Sequence, residues 1–500
     1  MPGYMLALPI LIPILGGFGI FLLKNKGMRL KHTYIMSIVL ATSIMVFAIL
    51  LWGAGHHAFV MEEAPYKPLE WDAFHMTGAL SVAFRIDGLG IVFSALISFL
   101  WPLAVLYAFE YMEHDTRQDS FFAFYVVTFG VTLGMAWAGN LLTMYLFFEL
   151  LTLVTTPLVI HELTHEANQA GRKYMTYCIG GAAFGFITLI FLVLYGNGAD
   201  FQYGGCLDLT KVSGQENLLL TIFLLGFFGF GVKAAVFPLH GWLPSAYVAP
   251  TPVTALLHAV AVVKAGAFSV IRLTYYCFGT DFLKGTWAQN VVMIMTIITI
   301  CFASSMAVAQ KHLKKRLAYS TISNLSYILF GVTMMSPLGL VAALTHMIFH
   351  ALMKICSFFC AGAVMHQSKK SYVYEIEGMG RKMPKTFFCF TIASFSLMGT
   401  PPLCGFISKW NLGRAALEMK GLAFVGLAAL FLSSMLVAVY MLSIVVRAFF
   451  PREGAVIYEA KDPGIRMLLP LFVFVAGIIV MGVYSAPIVH FLEKIASGIL

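Results

Sequence analysis

Charge is what this 500-residue chain has least of. Asp, Glu, Lys and Arg together make up 11% of it, against roughly 25% in ordinary soluble domains, while 60% is hydrophobic. A soluble globule needs a charged surface, so that class is excluded and the chain reads as a polytopic membrane protein. Cysteine is also sparse: eight residues, no CxxC pair, with Cys356 and Cys360 one helical turn apart as packing partners and Cys206 the main loop cysteine. Neither a disulfide framework nor an iron–sulfur site is indicated, and no cofactor, metal or catalytic centre is expected in the chain itself. Linkers and low-complexity stretches are missing, so the chain reads as one membrane domain. The short alternating strands of a membrane β-barrel are absent too. A basic, cleavable leader is not seen in MPGYMLALPILIPILGG, which reads as a retained first helix.

What is present is a succession of apolar runs. A helix needs about 20 residues to cross the ~30 Å hydrocarbon core. Spans are expected at 4–23, 33–53, 86–109, 121–138, 141–160, 172–196, 218–238, 252–277, 289–308, 320–335, 337–365, 386–418, 421–447 and 467–490. The fold class is therefore all-α, with about fourteen transmembrane helices. The excess of +9 charges could suggest nucleic acid, but its placement argues against that partner. Basic residues cluster around Lys24–Lys31, Lys311–Arg316, Lys369–Lys385 and Arg447–Arg466, whereas 54–85 carries Glu62, Glu63, Glu70 and Asp72. With an even span number all the basic loops share one face, which the positive-inside rule assigns to the cytoplasm, leaving both termini outside. The expected setting is the inner (cytoplasmic) membrane.

Ionisable residues recur inside the apolar runs. Glu149 lies in MYLFFELLTLVTTPLVI, Lys233 in FLLGFFGFGVKAAVF, His258 and Lys264 in TALLHAVAVVKAGAFSV. His346, His350 and Lys354 share THMIFHALMKICSFF, and Lys409 follows GTPPLCGFIS. Such a group costs at least ~2.5–3.5 kcal/mol at mid-bilayer on insertion scales, so it usually faces a bundle interior or a hydrated path. Repeated over several helices, these residues predict a route for protons or small cations.

Glu149 and Lys233 form the expected first pair, because a carboxylate moving toward or away from a buried lysine would decide whether the amine holds its proton. His346, His350 and Lys354, spaced i, i+4 and i+8, form one stripe suited to proton hopping. His258 and Lys264 lie about 120° apart on an ideal wheel and need water or a bulge to communicate. Lys409 is the terminal lysine, with snorkelling from a helix end as the plainer explanation. Asp87, at a span's edge, reads as a cap or interface residue. Prolines interrupt two lysine-bearing spans, at Pro238 and at Pro401–Pro402, which breaks the helix at membrane depth and hints at a duplication. His161-Glu162-Leu163-Thr164-His165 fits the HExxH zinc-protease pattern, but it falls where a span meets a polar loop and no third ligand is marked.

The runs FFELLTL, GVKAAVFPLHGWLPSAYVAPTPVTALLHAVAVVKAGAF, KKRLAYSTISNLSYILFG, THMIFHALMKICSFFCAG and GTPPLCGFISKW resemble the antiporter-like subunits of complex I, Mrp-type cation/proton antiporters and membrane-bound hydrogenases over roughly 85–450. The resemblance implies two inverted five-helix repeats and broken seventh and twelfth helices. It divides the chain into N-terminal helices at 1–120, a first repeat at 121–277, a second at 289–447, and a C-terminal loop and helix at 448–500. It gives Glu149 and Lys233 to the first half-channel, and His258 and Lys264 to the connecting eighth helix. His346, His350 and Lys354 fall on the eleventh-helix relay, Lys409 near the exit, and Lys315 on the cytoplasmic uptake side. Ser245 departs from the Asp often found there, and the lateral helix of the largest complex I subunit is lacking. That favours a mid-sized subunit of the Mrp D type or its hydrogenase counterparts.

The expected function is proton translocation within a multisubunit complex driven by partner redox subunits. Its partners are then other membrane subunits, including further antiporter-like ones, peripheral iron–sulfur subunits and the lipid bilayer, with no nucleic acid. The alternatives are the D-type subunit of an Mrp Na⁺/H⁺ antiporter, an intramembrane zinc protease built on His161 and His165, and a structural anchor.

Overall fold

The computed structural model describes residues 2–56, 69–77 and 80–498, so Glu62 and Glu63 of the acidic segment lie outside the described residues. Eleven described helices are long and apolar enough to cross a membrane. They include α1 (Gly3–Leu23), α2 (Met28–Gly55), α3 (Gly88–Tyr111), α4 (Gln118–Ala136), α5 (Leu141–Val159) and α6 (His165–Tyr195). The shorter α7 (Glu216–Gly231) follows, and then the span Thr251–Phe278, which divides into α8 (Thr251–Ala259), α9 (Val262–Ile271) and a π turn at Arg272–Phe278. Next come α10 (Trp287–Ala309), α11 (Leu313–Thr333) and α12 (Pro337–Ser368). The expected segment 386–418 is two helices, α13 (Pro384–Met398) and α14 (Cys404–Met419), followed by α15 (Leu422–Phe449) and α16 (Ile465–Val483). The segment expected to end at 490 stops at Val483, and a separate amphipathic helix α17 (Ala486–Ala496) lies beyond it.

Three expected segments fall outside those eleven for separable reasons. α7 is cut short by the irregular backbone around Lys233, α11 opens on the polar run Leu-Lys-Lys-Arg, and 386–418 is divided at Gly399–Leu403. One element departs from the all-helical expectation. β1 (Glu70–Thr77) and β2 (Leu80–Arg85) pair antiparallel where the acidic segment reads as loop. The hairpin is anchored by backbone bonds from Arg85 to Trp137 and from Gly139 to Ala83, both 2.8 Å.

Helix starts follow local chemistry. Asp87, Asn140, Thr164 and Ser336 each accept a hydrogen bond from a backbone N–H of the helix they open, at 2.8–3.1 Å. At the C-terminus of α13, Gly399 adopts φ +91°, the left-handed cap that only glycine takes without strain. A β-carbon there would also come within 2.9 Å of the Lys409 side chain, so the same glycine lets α14 bring its lysine against the end of α13.

Burial sorts the helices. The span containing α8 and α9 is wholly enclosed, and α12 packs against α8, α11, α13, α14, α16 and α17. The apolar faces of α1, α2, α6 and α15 point outward, with Leu22, Leu51, Leu194 and Phe431 exposed. The polar residues are thus concentrated along the axis and the leucines around the rim, the inverse of a soluble bundle.

Candidate functional site

The buried ionisable residues fall into a group around Lys233 and a group along α12. Lys233 stands just past α7, where the chain leaves helical geometry; the next residue but one, Ala235, has φ +56°. Its ammonium donates to the carbonyl of Phe148 and lies 3.6 Å from that residue's ring centroid. This differs from the expected arrangement, in which the Glu149 carboxylate is the direct partner. Glu149 is half-buried, and its Oε1 makes no hydrogen bond within the chain. Helix geometry explains the offset: Phe148 and Glu149 are successive residues about 100° apart around α5, so only one of them faces Lys233.

A bulge separates His258 from Lys264. The Val260 and Ala261 amides both bond the Leu256 carbonyl, at 3.1 and 2.9 Å, inserting an i→i+5 turn between α8 and α9. Lys264 then reaches across to α12, its Nζ 2.7 Å from His350 Nδ1. His346 and His350 stack at 5.6 Å between ring centroids with an 18° tilt, as their i, i+4 spacing requires. One turn further along α12, the Lys354 ammonium donates to Ser320 Oγ at 2.7 Å and to the Leu317 carbonyl at 3.2 Å. In the other direction His346 Nδ1 meets Ser408 Oγ at 2.9 Å, beside Lys409. Lys409 donates to the Leu397 and Met398 carbonyls at the end of α13, 2.8 and 3.0 Å, and to Ser434 Oγ at 2.9 Å.

Lys233, His258, Lys264, His346, His350 and Lys354 are all fully buried, and Lys409 is half-buried. Among the described residues none of these lysines forms an ion pair with a carboxylate. Both ring nitrogens of His258, and Nε2 of His346 and His350, make no hydrogen bond within the chain. The line is therefore rich in proton donors and acceptors and poor in fixed negative charge.

A polar cavity of about 610 Å³ is lined by residues that include Glu166, Lys173, His240, Ser245, Tyr247 and Lys315. The Lys315 ammonium sits 4.3 Å from the Tyr247 ring centroid, and Ser245 Oγ turns back to the Gly241 carbonyl at 3.0 Å. His312, just outside α11, accepts the Lys314 N–H on its Nδ1 at 3.2 Å. Burial and the neighbouring Lys314 and Lys315 push His312 down to about 4, against the opposing pull of Glu375.

Several buried cations escaped the sequence reading, among them Lys314 and Arg272. Lys314 donates to the Ala249 carbonyl at 2.8 Å, although it belongs to a basic cluster that reads as loop. Arg272, fully buried, pairs with both oxygens of Asp87 and is packed among Phe201, Phe268 and Tyr276. Asp87 is a cap as expected, and also half of an ion pair. Arg272 falls inside the expected span 252–277, so the logic that selected Lys264 also marks it.

The HExxH segment is not one helix. α5 ends at Val159, Leu163 has φ +50°, and α6 opens at His165. His161 Nε2 faces Asp115 at 3.1 Å, while His165 Nε2 lies 2.8 Å from Gln169 Nε2. The two histidines therefore lack the shared helical face that a zinc protease needs. No group of three or more metal-ligating side chains is found among the described residues.

Comparison with known proteins shows the family of the chain. The family model for the NADH:quinone oxidoreductase/Mrp antiporter transmembrane region matches residues 138–436, and that for the N-terminus of complex I chain 5 matches 74–122. The chain is 30% identical to NADH-quinone oxidoreductase subunit N of Desulforudis audaxviator (strain MP104C), covering 96% of this chain and 97% of that protein. It is 32% identical to a probable K⁺/H⁺ antiporter component, of the A/B type, from Rhizobium meliloti (strain 1021), covering 81% of this chain but only 40% of the relative. The fold resembles a chain of the membrane-bound sulfane sulfur reductase, an archaeal respiratory membrane complex, with a TM-score of 0.84 at 23% identity, covering 99% of this chain and 97% of that one. A chain of the Mrp complex from Dietzia sp. DQ12-45-1b superposes with a TM-score of 0.83 at 17% identity and the same coverage. This multi-pass membrane chain belongs to the NADH:quinone oxidoreductase/Mrp antiporter family, as an antiporter-like subunit.

Proposed function

We propose that the chain translocates protons along its buried line of glutamate, lysine and histidine, as one subunit of a multisubunit membrane complex. The observation that carries this reading is the 2.7 Å contact between Lys264 Nζ and His350 Nδ1. It joins α9 to α12 at the distance a proton crosses between two heteroatoms, with both groups fully buried. Protons enter from the cavity by Lys315 and reach Lys233. They pass by His258 and Lys264 to His350 and Lys354, and leave through His346 and Lys409. Glu149 acts on Lys233 as a charge at a distance, since their contact is indirect. Buried polar atoms without protein partners are costly unless a mobile donor or acceptor reaches them, and the histidine nitrogens on the line have that character.

In this reading the helices between 121 and 277 form one inverted repeat and those between 289 and 447 the other. The chain sits in the cytoplasmic membrane with both termini outside, beside further antiporter-like subunits and peripheral iron–sulfur subunits that supply redox energy. The likeness to a K⁺/H⁺ antiporter component supports a second reading, the D-type subunit of an Mrp Na⁺/H⁺ antiporter, in which the same line exchanges a cation for protons. The two are separated by extracting the complex from native membranes in mild detergent. Its subunits and iron are then measured, and proton uptake by vesicles is followed with and without a redox donor. Iron-rich peripheral subunits and donor-dependent pumping support the first reading. Sodium-dependent proton movement without a donor supports the second. Wild-type rates in Glu149→Gln and Lys233→Ala would contradict both.

A further inference from the structure

Four hydroxyl groups meet at the junction of α10, α11 and α15, apart from the lysine–histidine line. Ser433 Oγ lies 2.5 Å from Ser304 Oγ, 3.0 Å from Ser323 Oγ and 2.5 Å from the Tyr327 hydroxyl. Ser304 and Ser323 are themselves 2.7 Å apart, and all four residues are fully buried. Their bonding is unusual for this chain. Hydroxyls of other buried helical residues, among them Thr132, Thr321, Thr345 and Ser357, donate to the carbonyl four residues back. The four clustered hydroxyls bond one another across three helices, and Tyr327 also stands within hydrogen-bond reach of Ser434.

Counting protons shows what such a cluster can do. Each hydroxyl has one proton to donate and two lone pairs. The four contacts use the four protons once each when Tyr327 donates to Ser433. Ser304, Ser323 and Ser433 then close a triangle whose donation can run in either sense. Two proton orders share one set of heavy-atom positions, and spare lone pairs remain to accept an incoming proton. A chain of hydroxyls that reverses its order without moving its atoms is a medium for proton hopping.

The cluster also lies between two members of the main line. On α11, one turn from Ser323, Ser320 Oγ accepts from Lys354 at 2.7 Å and from the Tyr440 hydroxyl at 2.6 Å. On α15, Ser434 follows Ser433 and accepts from Lys409 at 2.9 Å. The Tyr327 ring stands 5.3 Å from the His346 ring and 5.6 Å from Lys409 Nζ, between the relay histidine and the terminal lysine. When Lys409 is an ammonium, Ser434 must accept from it. When it is an amine, its lone pair can take the Ser434 proton instead. The state of the lysine therefore sets the hydroxyl orientation at the edge of the cluster.

We propose that Ser323, Ser304, Ser433 and Tyr327, joined through bridging water to the Ser320–Tyr440 pair on one side and to Ser434 on the other, form a hydroxyl ladder that carries protons between Lys354 and Lys409, parallel to the path through His346. The proposal rests on the proton-translocating reading above. Its test is passive proton flux into pyranine-loaded proteoliposomes holding the intact complex, driven by a valinomycin-set K⁺ diffusion potential. Tyr327→Phe removes one oxygen at constant shape, and Ser433→Ala removes the hub, with Ser433→Thr restoring the hydroxyl. In a His346→Ala background, residual flux should fall about tenfold further with Tyr327→Phe, equivalent to ~1.4 kcal/mol on the barrier. Ser433→Thr should recover what Ser433→Ala loses. If Ser433→Ala does not assemble, Tyr327→Phe decides alone. Unchanged flux in Tyr327→Phe, with Lys409→Ala abolishing it, overturns the ladder and leaves the function standing. Unchanged flux in Lys409→Ala as well overturns the function itself.

Discussion

Lys233 and Lys409 both stand at a proline-interrupted break, and their surroundings differ in kind. Lys233 precedes its break and rests on one carbonyl of an intact helix, Phe148 in α5, and on the face of the same residue's ring. Lys409 follows its break and is held by three acceptors, two of them the terminal carbonyls of α13. Those carbonyls lack intrahelical partners and carry the negative end of the helix dipole, so a cation there also completes the helix. The first lysine is loosely seated and reachable by a distant carboxylate. The second is built into the helix end. The same residue type at similar breaks is thus held by one acceptor in one place and by three in the other.

Substitution should separate these roles, most strongly at Lys409. Lys409→Ala removes the terminus and leaves buried acceptors unpaired, at about 1–3 kcal/mol for each. Both proton flux and the melting temperature of the complex should fall. Lys233→Ala should stop flux as completely while moving the melting temperature much less, since only one carbonyl loses a partner. Equal thermal losses at the two sites would erase the distinction. Phe148→Leu keeps the carbonyl but removes the ring, worth ~2 kcal/mol where desolvated. Flux should slow while assembly holds, whereas the equivalent loss of Ser434 should be felt in thermal stability too.

A control lies outside the line. Asp87→Asn strands the buried Arg272 guanidinium, and breaking such a pair costs about 3–5 kcal/mol. The yield of assembled complex should drop, with flux per assembled complex unchanged. The smallest effect belongs to His312. Its proton affinity is lowered on folding, so the stability it contributes is full above about pH 6.5 and is lost as pH falls through about 4. His312→Asn should flatten that acid limb in a thermal-shift series, without changing stability at pH 7.

Much of this could be read from the sequence because membrane insertion penalises charge so heavily. Lys264, His350 and Lys354 stand out against their apolar neighbours, and the structure brings these three onto one axis. A bulge does interrupt the helix between His258 and Lys264, but the two side chains make no bond with each other. Other features have weaker signatures. Serines are common in apolar helices, so nothing in Ser304, Ser323 or Ser433 announces that they meet, and only packing across three helices brings them together. The Lys233 contact is hidden for another reason. Adjacent residues Phe148 and Glu149 differ by one step of helical phase, and the rotation of α5 decides which of them the lysine meets. The hairpin at β1 and β2 had a signal in the alternation of Leu80, Val82 and Phe84, but the acidic residues around it read as an outer loop.

The contact between Lys264 and His350 carries the account, because it joins the two most deeply buried spans of the molecule. Lys264→Met preserves length and packing while removing the amine. In proteoliposomes holding the intact complex, its proton flux under a K⁺ diffusion potential should drop to the protein-free background, with melting temperature near wild type. Flux at the wild-type rate would mean that protons cross elsewhere and that the buried line is structural.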